Sequence, residues 1–236
     1  MDGMISIIIP AFNEERYLPR LLECIKKQSY NDYEVIVADA NSTDKTAKVA
    51  KKYGCRIVKG GMPAVGRNNG AKAAKGNILL FLDADVQVDK NFLEKALDEY
   101  DSRKLDIAGC YLTPDSKNAF DRLGHSILNG WFFVMQYAWP HMVGQCIFSR
   151  KTIHKKLNGF DESILFAEDN DYVKRGSKFG KFRILNSVRI TASTRRFKYE
   201  NRFVLALKYL LCPFYRIIFG EIRTNIFKYK MKIFHK

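Results

Sequence analysis

The sequence predicts an α/β fold built on a mostly parallel sheet flanked by helices, and three observations carry that prediction. Strand-like apolar runs alternate with helix-like segments through the first half of the chain. The run Ile78–Leu82 is continuously apolar, as a strand buried on both faces is. The strand-like runs end in polar residues, and in such sheets ligands sit beyond the carboxyl ends of the strands.

The elements follow in order. Met4–Ile9 is a β-branched run stopped by Pro10. Asn13 reads as an N-cap with Glu14 and Glu15 near the helix start, and Leu18, Leu21, Leu22 and Ile25 follow at helical spacing. Pro19 is compatible with that helix only in its first turn. Tyr33–Ala38 is a second strand, ended by Asp39. Thr43–Tyr53 is a Lys-rich helix stopped by Gly54, and Arg56–Lys59 a short third strand. Pro63–Lys75 is a helix, and Ile78–Leu82 the strand after it. Asn91–Tyr100 is helical and Asp106–Leu112 a strand. Beyond Pro114 the pattern changes. Asn118–Trp139 is long, aromatic and poorly charged on one side, and its stretch Trp131–Trp139 reads equally as core or as an interfacial surface. Gly144–Ser149 is strand-like, Phe166–Phe179 helical and Arg183–Ala192 extended.

Composition is globular, but the net charge of +15 over 236 residues favours an anionic partner. The excess is uneven: from Arg195 to Lys236 there are eleven Lys or Arg against two acids, Glu200 and Glu221. Five cysteines without a CxxC pair read as reduced and structural, which points to a cytoplasmic location. The four histidines lack zinc-site spacing. The amino terminus runs directly into a strand without a signal-peptide pattern. Charges interrupt every long apolar window, so no transmembrane span is expected.

Asp83-Ala84-Asp85-Val86-Gln87 carries the most chemistry. A strand places residues i and i+2 on one face, so Asp83 and Asp85 are expected side by side, with the Gln87 amide next along. Such hard oxygen ligands suit Mg²⁺ or Mn²⁺ bound together with phosphates. Other strand ends carry Pro10-Ala11-Phe12-Asn13-Glu14-Glu15 and Asp39-Ala40-Asn41-Ser42-Thr43-Asp44-Lys45-Thr46. A helix start adds Gly66-Arg67-Asn68-Asn69-Gly70. Together they supply acceptors for a base and ribose, a metal-binding pair and donors for phosphate.

These motifs, in this order and followed by Gly159-Phe160-Asp161-Glu162 and Glu168-Asp169, resemble the family 2 glycosyltransferases over roughly residues 4–195. The resemblance implies the GT-A fold and transfer of a sugar from a UDP- or GDP-linked nucleotide-diphosphosugar. It implies donor contacts at Pro10, Ala11, Asn13, Glu14, Asp39, Arg67, Asp83 and Ala84. Asp39 matches the carboxylate that meets the base, Asp83 the residue near ribose and metal, and Asp85 the direct metal ligand. Gln87 is a candidate third ligand, because Asp-Ala-Asp-x-Gln looks like the dolichyl-phosphate mannose synthases. Asp169 matches the catalytic base of inverting members, with Glu168 beside it. Residues 1–114 then form a nucleotide-sugar-binding half and 115–201 an acceptor-binding half.

Many processive members carry Gln-x-x-Arg-Trp after the acid motif. Here the nearest element is Thr194-Arg195-Arg196-Phe197, which argues against a processive synthase. Arg195 and Arg196 become candidate contacts to a diphosphate or an acceptor phosphate. Residues 202–236 mix aliphatic and aromatic side chains with Lys and Arg, as helices lying on an anionic membrane do. The alternative is a C-terminal helix packed on the domain or on a second subunit. The expected protein is thus peripheral on the cytoplasmic face, with a lipid-linked or glycan acceptor. An acceptor hydroxyl needs a base such as Asp169, whereas a polyprenyl phosphate does not. A nucleotidyltransferase and a nucleic-acid-binding protein are the competing classes. The latter leaves Asp39, Asp83, Asp85 and Asp169 unexplained, so no nucleic-acid partner is expected.

Overall fold

The computed structural model describes residues 3–196, 202–224 and 226. Eight strands form one mixed sheet: β1 (Ile5–Ala11), β2 (Tyr33–Asp39), β3 (Arg56–Lys59), β4 (Ile78–Leu82), β5 (Val86–Val88), β6 (Ile107–Pro114), β7 (Cys146–Arg150) and β8 (Phe182–Ala192). Their order across the sheet is β3-β2-β1-β4-β7-β6-β8-β5. The β3, β2, β1 and β4 block is parallel, as the alternating pattern predicts, and β7 joins it antiparallel. Ile5, Ile7, Ile8, Ile9 and Leu79–Leu82 are all buried, because helices cover this block on both faces.

The helices are α1 (Leu18–Lys26), α2 (Thr46–Lys52), α3 (Pro63–Ala73), α4 (Phe92–Ser102), α5 (Ala119–Ala138), α6 (Lys151–Lys156), α7 (Glu168–Gly176) and α8 (Arg202–Phe219). In α1, Pro19 sits in the first turn, where its missing N–H costs nothing. Asn13 is not its N-cap: the helix starts at Leu18, and Asn13 adopts a left-handed conformation with φ 54° in the loop before it. Glu14 and Glu15 accordingly precede the helix.

The largest departure from the expected layout is β5. Only Asp83, Ala84 and Asp85 separate it from β4, yet it pairs with β8 at the far edge of the sheet. So short a link, four Cα-to-Cα steps, reaches at most about 14 Å. The sheet must therefore curl until the end of β8 stands over the end of β4. The bend is visible in β8, whose register against β6 slips between Cys110 and Tyr111. Glu99 on α4 holds the slipped segment by accepting from the N–H groups of Asn186 and Ser187 at 2.7–2.9 Å.

The helix α5 lies against the outside of this curl. Its Asn129 carboxamide pairs with the N–H and C=O of Leu112 at 3.0 and 2.8 Å, as a neighbouring strand would. Phe132 and Gln136 are buried beneath it, while Phe120, Leu123, Ile127, Val134 and Tyr137 are exposed. The Asn118–Trp139 segment is thus mainly surface. In α8 the two expected readings are mixed. Cys212 and Arg216 are buried, and Val204, Leu207, Leu211, Ile218 and Phe219 are exposed. After α8 the chain packs on the domain through the fully buried Ile222, whose carbonyl accepts from Leu165. Residues 227–236, the rest of the expected membrane-associating segment, lie outside the described residues.

Candidate active site

The loops after β1 and β2 are one structure. Asn13 donates its N–H to Ser42 Oγ at 2.9 Å, and its Oδ1 accepts from the Thr43 N–H at 2.8 Å. Glu14 N–H meets Thr46 Oγ1 at 2.7 Å, and Glu15 N–H meets Asp44 Oδ2 at 3.0 Å. The paired motifs in the sequence therefore brace each other. Asp39 ends β2 in register with Ala11, and its Oδ1 accepts from Ser42 Oγ at 2.5 Å. Pro10 pairs with Ala38 one step earlier, and Ala11 and Ala84 are buried in the core.

Asp83 and Asp85 do not lie on one face of a strand. The strand β4 stops at Leu82, and Asp83–Val86 form a turn in which the Val86 N–H meets the Asp83 carbonyl at 3.4 Å. The turn, rather than β alternation, brings the carboxylates together. Asp83 is held above its usual range by burial, opposed by Arg67 and reinforced by the charge of Asp85. Gln87 lies on β5 opposite Thr191, partly exposed between the buried Val86 and Val88.

Arg67 is neither a solvated helix face nor a surface donor to phosphate. Gly70 lets α3 lie directly on β1, since a Cβ there would sit 2.3 Å from Ile8 Cγ2. The Arg67 side chain is consequently only 3% exposed. Its Nη2 meets Asp83 Oδ1 at 3.0 Å and the Gly144 carbonyl at 3.3 Å, and its Nη1 meets Glu168 Oε1 at 2.6 Å. One guanidinium thus joins the Asp83 turn to the start of α7.

Glu168, Asp169 and Asp171 lie in the first turn of α7, where the helix dipole favours negative charge. Asp169 accepts from its neighbour Asn170 N–H at 2.7 Å and from the Gly144 N–H. Burial, then the charge of Glu168, raise its pKa from an ordinary 3.8 to about 7. Gly144 went unnoticed in the sequence. A Cβ there would lie 2.5 Å from Arg67 Nη2 and 3.0 Å from Asp169 Oδ2, so any side chain there would have to displace Arg67 from its partners. No local signal marks such a glycine, because the crowding comes from α3 and α7.

Arg195, just beyond β8, reaches back across the site. Its Nη1 and Nη2 meet the two carboxylate oxygens of Glu14 at 2.7 and 2.6 Å, and its Nε meets Asp85 Oδ2 at 2.9 Å. The Tyr17 ring lies 4.7 Å beneath the guanidinium. Burial raises the pKa of Glu14 to about 7 against the opposing effect of Arg195. Arg196 is close enough to act electrostatically on Asp83.

Among the described residues, no group of three or more His, Cys, Asp or Glu is placed to hold a metal by itself. The donor set still fits Mg²⁺ or Mn²⁺. These ions commonly take one or two carboxylates and complete their shell with substrate phosphates and water. Among the described residues, no helix is long and apolar enough to cross a membrane.

The family model described as Glycosyl transferase family 2 matches residues 6–159. An uncharacterized glycosyltransferase of Bacillus subtilis, EpsJ, is 25% identical over 199 residues, covering 73% of this chain and 55% of that protein. The chondroitin synthase of Escherichia coli is 28% identical over 202 residues, 78% of this chain and 28% of the other. The chain thus spans about half of the first relative and about a quarter of the second. Among solved structures, the mannosyltransferase PcManGT of Pyrobaculum calidifontis, in complex with GDP-Man and Mn²⁺, superposes with a TM-score of 0.72 at 19% identity. That match covers 100% of this chain and 69% of the other. Residues 1–349 of TarS from S. aureus, in complex with UDP-GlcNAc, give 0.67 at 22% identity, covering 81% and 58%. These likenesses establish the fold, and the family match runs from β1 through the Asp83–Asp85 turn to just beyond α6. This chain belongs to glycosyl transferase family 2.

Proposed function

We propose that this protein is an inverting, metal-dependent glycosyltransferase moving a sugar from a nucleotide-diphosphosugar to an acceptor hydroxyl near a membrane. The observation that carries this reading is the Arg67 bridge. It holds the carboxylates of Asp83 and Glu168, 85 positions apart in sequence, on one guanidinium. The proximity this gives the Asp83 turn and the Asp169 carboxylate supports reading them as the donor-binding and base parts of one site. Fold neighbours bound to UDP-GlcNAc and to GDP-Man with Mn²⁺ support a nucleotide-sugar donor of either base.

In this reading Asp39 accepts a hydrogen bond from the base, and Asp83 and Asp85, with Gln87, hold the metal. When bound, Mg²⁺ or Mn²⁺ offsets the charge developing on the diphosphate leaving group. Pro10, Ala11, Asn13 and Glu14 shape the rim of the nucleotide pocket. Asn13 does so through its bracing of Thr43. Ala84 contributes backbone only, and Arg67 positions Asp83 and Glu168. Asp169 takes the proton from the acceptor hydroxyl as its oxygen attacks C1 from the face opposite the leaving group. One such displacement inverts the anomeric centre. The halves 1–114 and 115–201 supply donor and acceptor contacts respectively, and Arg196 contacts phosphate.

Asp85→Ala is expected to abolish metal-dependent turnover of UDP- and GDP-sugars while the circular dichroism spectrum stays unchanged, since Arg195 keeps both of its bonds to Glu14 when Asp85 is removed. Gln87→Ala should weaken Mn²⁺ dependence more mildly. Undiminished turnover by Asp85→Ala at saturating donor would remove the metal assignment.

The exposed Leu207, Leu211, Ile218 and Phe219 of α8, joined to the basic carboxyl-terminal composition, support peripheral binding to an anionic membrane at its cytoplasmic face. Co-sedimentation with vesicles containing anionic lipid should fall as salt rises. It should fall further in Leu211→Ser/Phe219→Ser. That variant is preferable to truncation after Arg202, which would also delete the buried Ile222. Equal sedimentation of wild type and variant at both salt concentrations would refute the membrane role.

A further inference from the structure

We propose that Arg195 is a built-in countercation of the donor site: it neutralises Glu14 and Asp85 in the donor-free protein and releases Asp85 to an arriving divalent cation. This rests on the metal reading of Asp85 above. Three acids, Glu14, Asp83 and Asp85, act electrostatically on one another at the curled end of the sheet. Arg67 is committed to Asp83 and Glu168 on the inner side. Arg195 occupies the other side, bidentate on Glu14 and single on Asp85, with Tyr17 under its plane. Its side chain is 12% exposed, as is that of Asp85, so water screens the pair poorly.

The geometry makes the two contacts unequal. Glu14 uses both oxygens in a fork that matches the guanidinium, whereas Asp85 gives one oxygen to Nε. A metal can therefore take Asp85 without dismantling the Glu14 pair. Arg195 would remain tethered beside the diphosphate, with its Nε–H freed for a phosphate oxygen. The arrangement makes metal binding a competition between two cations for one carboxylate. It also ties metal arrival to the end of β8, because Arg195 lies just beyond that strand while Glu14 and Asp85 belong to the first half.

The test is Mn²⁺ binding to the full chain without nucleotide, read from the loss of the free-ion paramagnetic resonance signal. Arg195→Met removes the charge and keeps the length, and should tighten Mn²⁺ by about tenfold or more, since a close positive charge has been withdrawn. Arg195→Lys should stay near wild type. Adding Asp85→Asn to Arg195→Met should cancel the gain. Glu14→Gln/Arg195→Met, which leaves no stranded Glu14 charge, guards against misfolding and should bind Mn²⁺ more tightly than Glu14→Gln alone. If Arg195→Met and the double variant bind no more tightly than their parents, while Mn²⁺ still binds in the presence of UDP or GDP, the countercation proposal fails alone. If no protein takes up Mn²⁺ even with UDP or GDP, the metal reading fails and this proposal with it.

Discussion

Asp169→Asn is expected to leave nucleotide-sugar binding intact and to cut sugar transfer by about a hundredfold or more. It keeps the shape of the side chain and removes its basicity. The pH profile should identify the group. With its pKa raised to about 7 by burial and by Glu168, Asp169 should give up its proton near neutrality rather than in acid. Wild-type kcat/KM, which reports the free enzyme, should therefore rise with pH up to about 7 and level off above it. Stability should move the opposite way. A carboxyl raised from 3.8 to about 7 binds its proton more tightly in the folded chain than in the unfolded one. Its contribution is complete below the lower value and is lost as pH rises through the upper one. The stability of Asp169→Asn should accordingly change less between pH 4 and 7 than that of wild type, with the Glu14 share of the slope remaining. Transfer undiminished in Asp169→Asn would exclude the base. It would move the acceptor from a hydroxyl to an already ionised phosphate, such as a polyprenyl phosphate.

Arg67→Met is expected to be the most destabilising of the site substitutions, by about 3 kcal/mol in denaturant unfolding. Removing one partner of a buried ion pair strands the other. The figure is at the lower end for such losses because the Asp83 side chain keeps 31% of its exposure. Two carboxylates lose their counterion at once, Asp83 and Glu168, and the Gly144 carbonyl loses a donor. Adding Glu168→Gln should restore part of the loss, because an unpaired buried charge costs more than a missing pair. A single variant within about 0.5 kcal/mol of wild type, the usual range for surface substitutions, would show that Arg67 does not hold the site together.

The sequence by itself determined the family and most of the elements, but not β5 or α6. Strand runs, helical spacing, Pro19 in a first turn and Gly54 at a helix end depend on residues a few positions apart, so local patterns reveal them. The ordered motifs from Asn13 to Asp169 likewise marked every carboxylate of the candidate site. Local signals misled where a residue serves a distant partner. Asn13 has the chemistry of an N-cap but spends its carboxamide on Thr43, 30 positions away. The spacing of Asp83 and Asp85 fits a strand face, but the curl of the sheet turns the chain between them. The curl is accompanied by a slipped register of β6 against β8, held by Glu99, and neither partner signals it alone. Tertiary structure alone decided that Arg67 is buried and that Gly144 lies pressed against Arg67 and Asp169. It also placed Arg195 on carboxylates up to 181 positions away, and it left much of α5 exposed. The physical reason is common to all of these. Burial and ion pairing depend on which surfaces the folded chain brings together, and charge cost and crowding arise only once they meet.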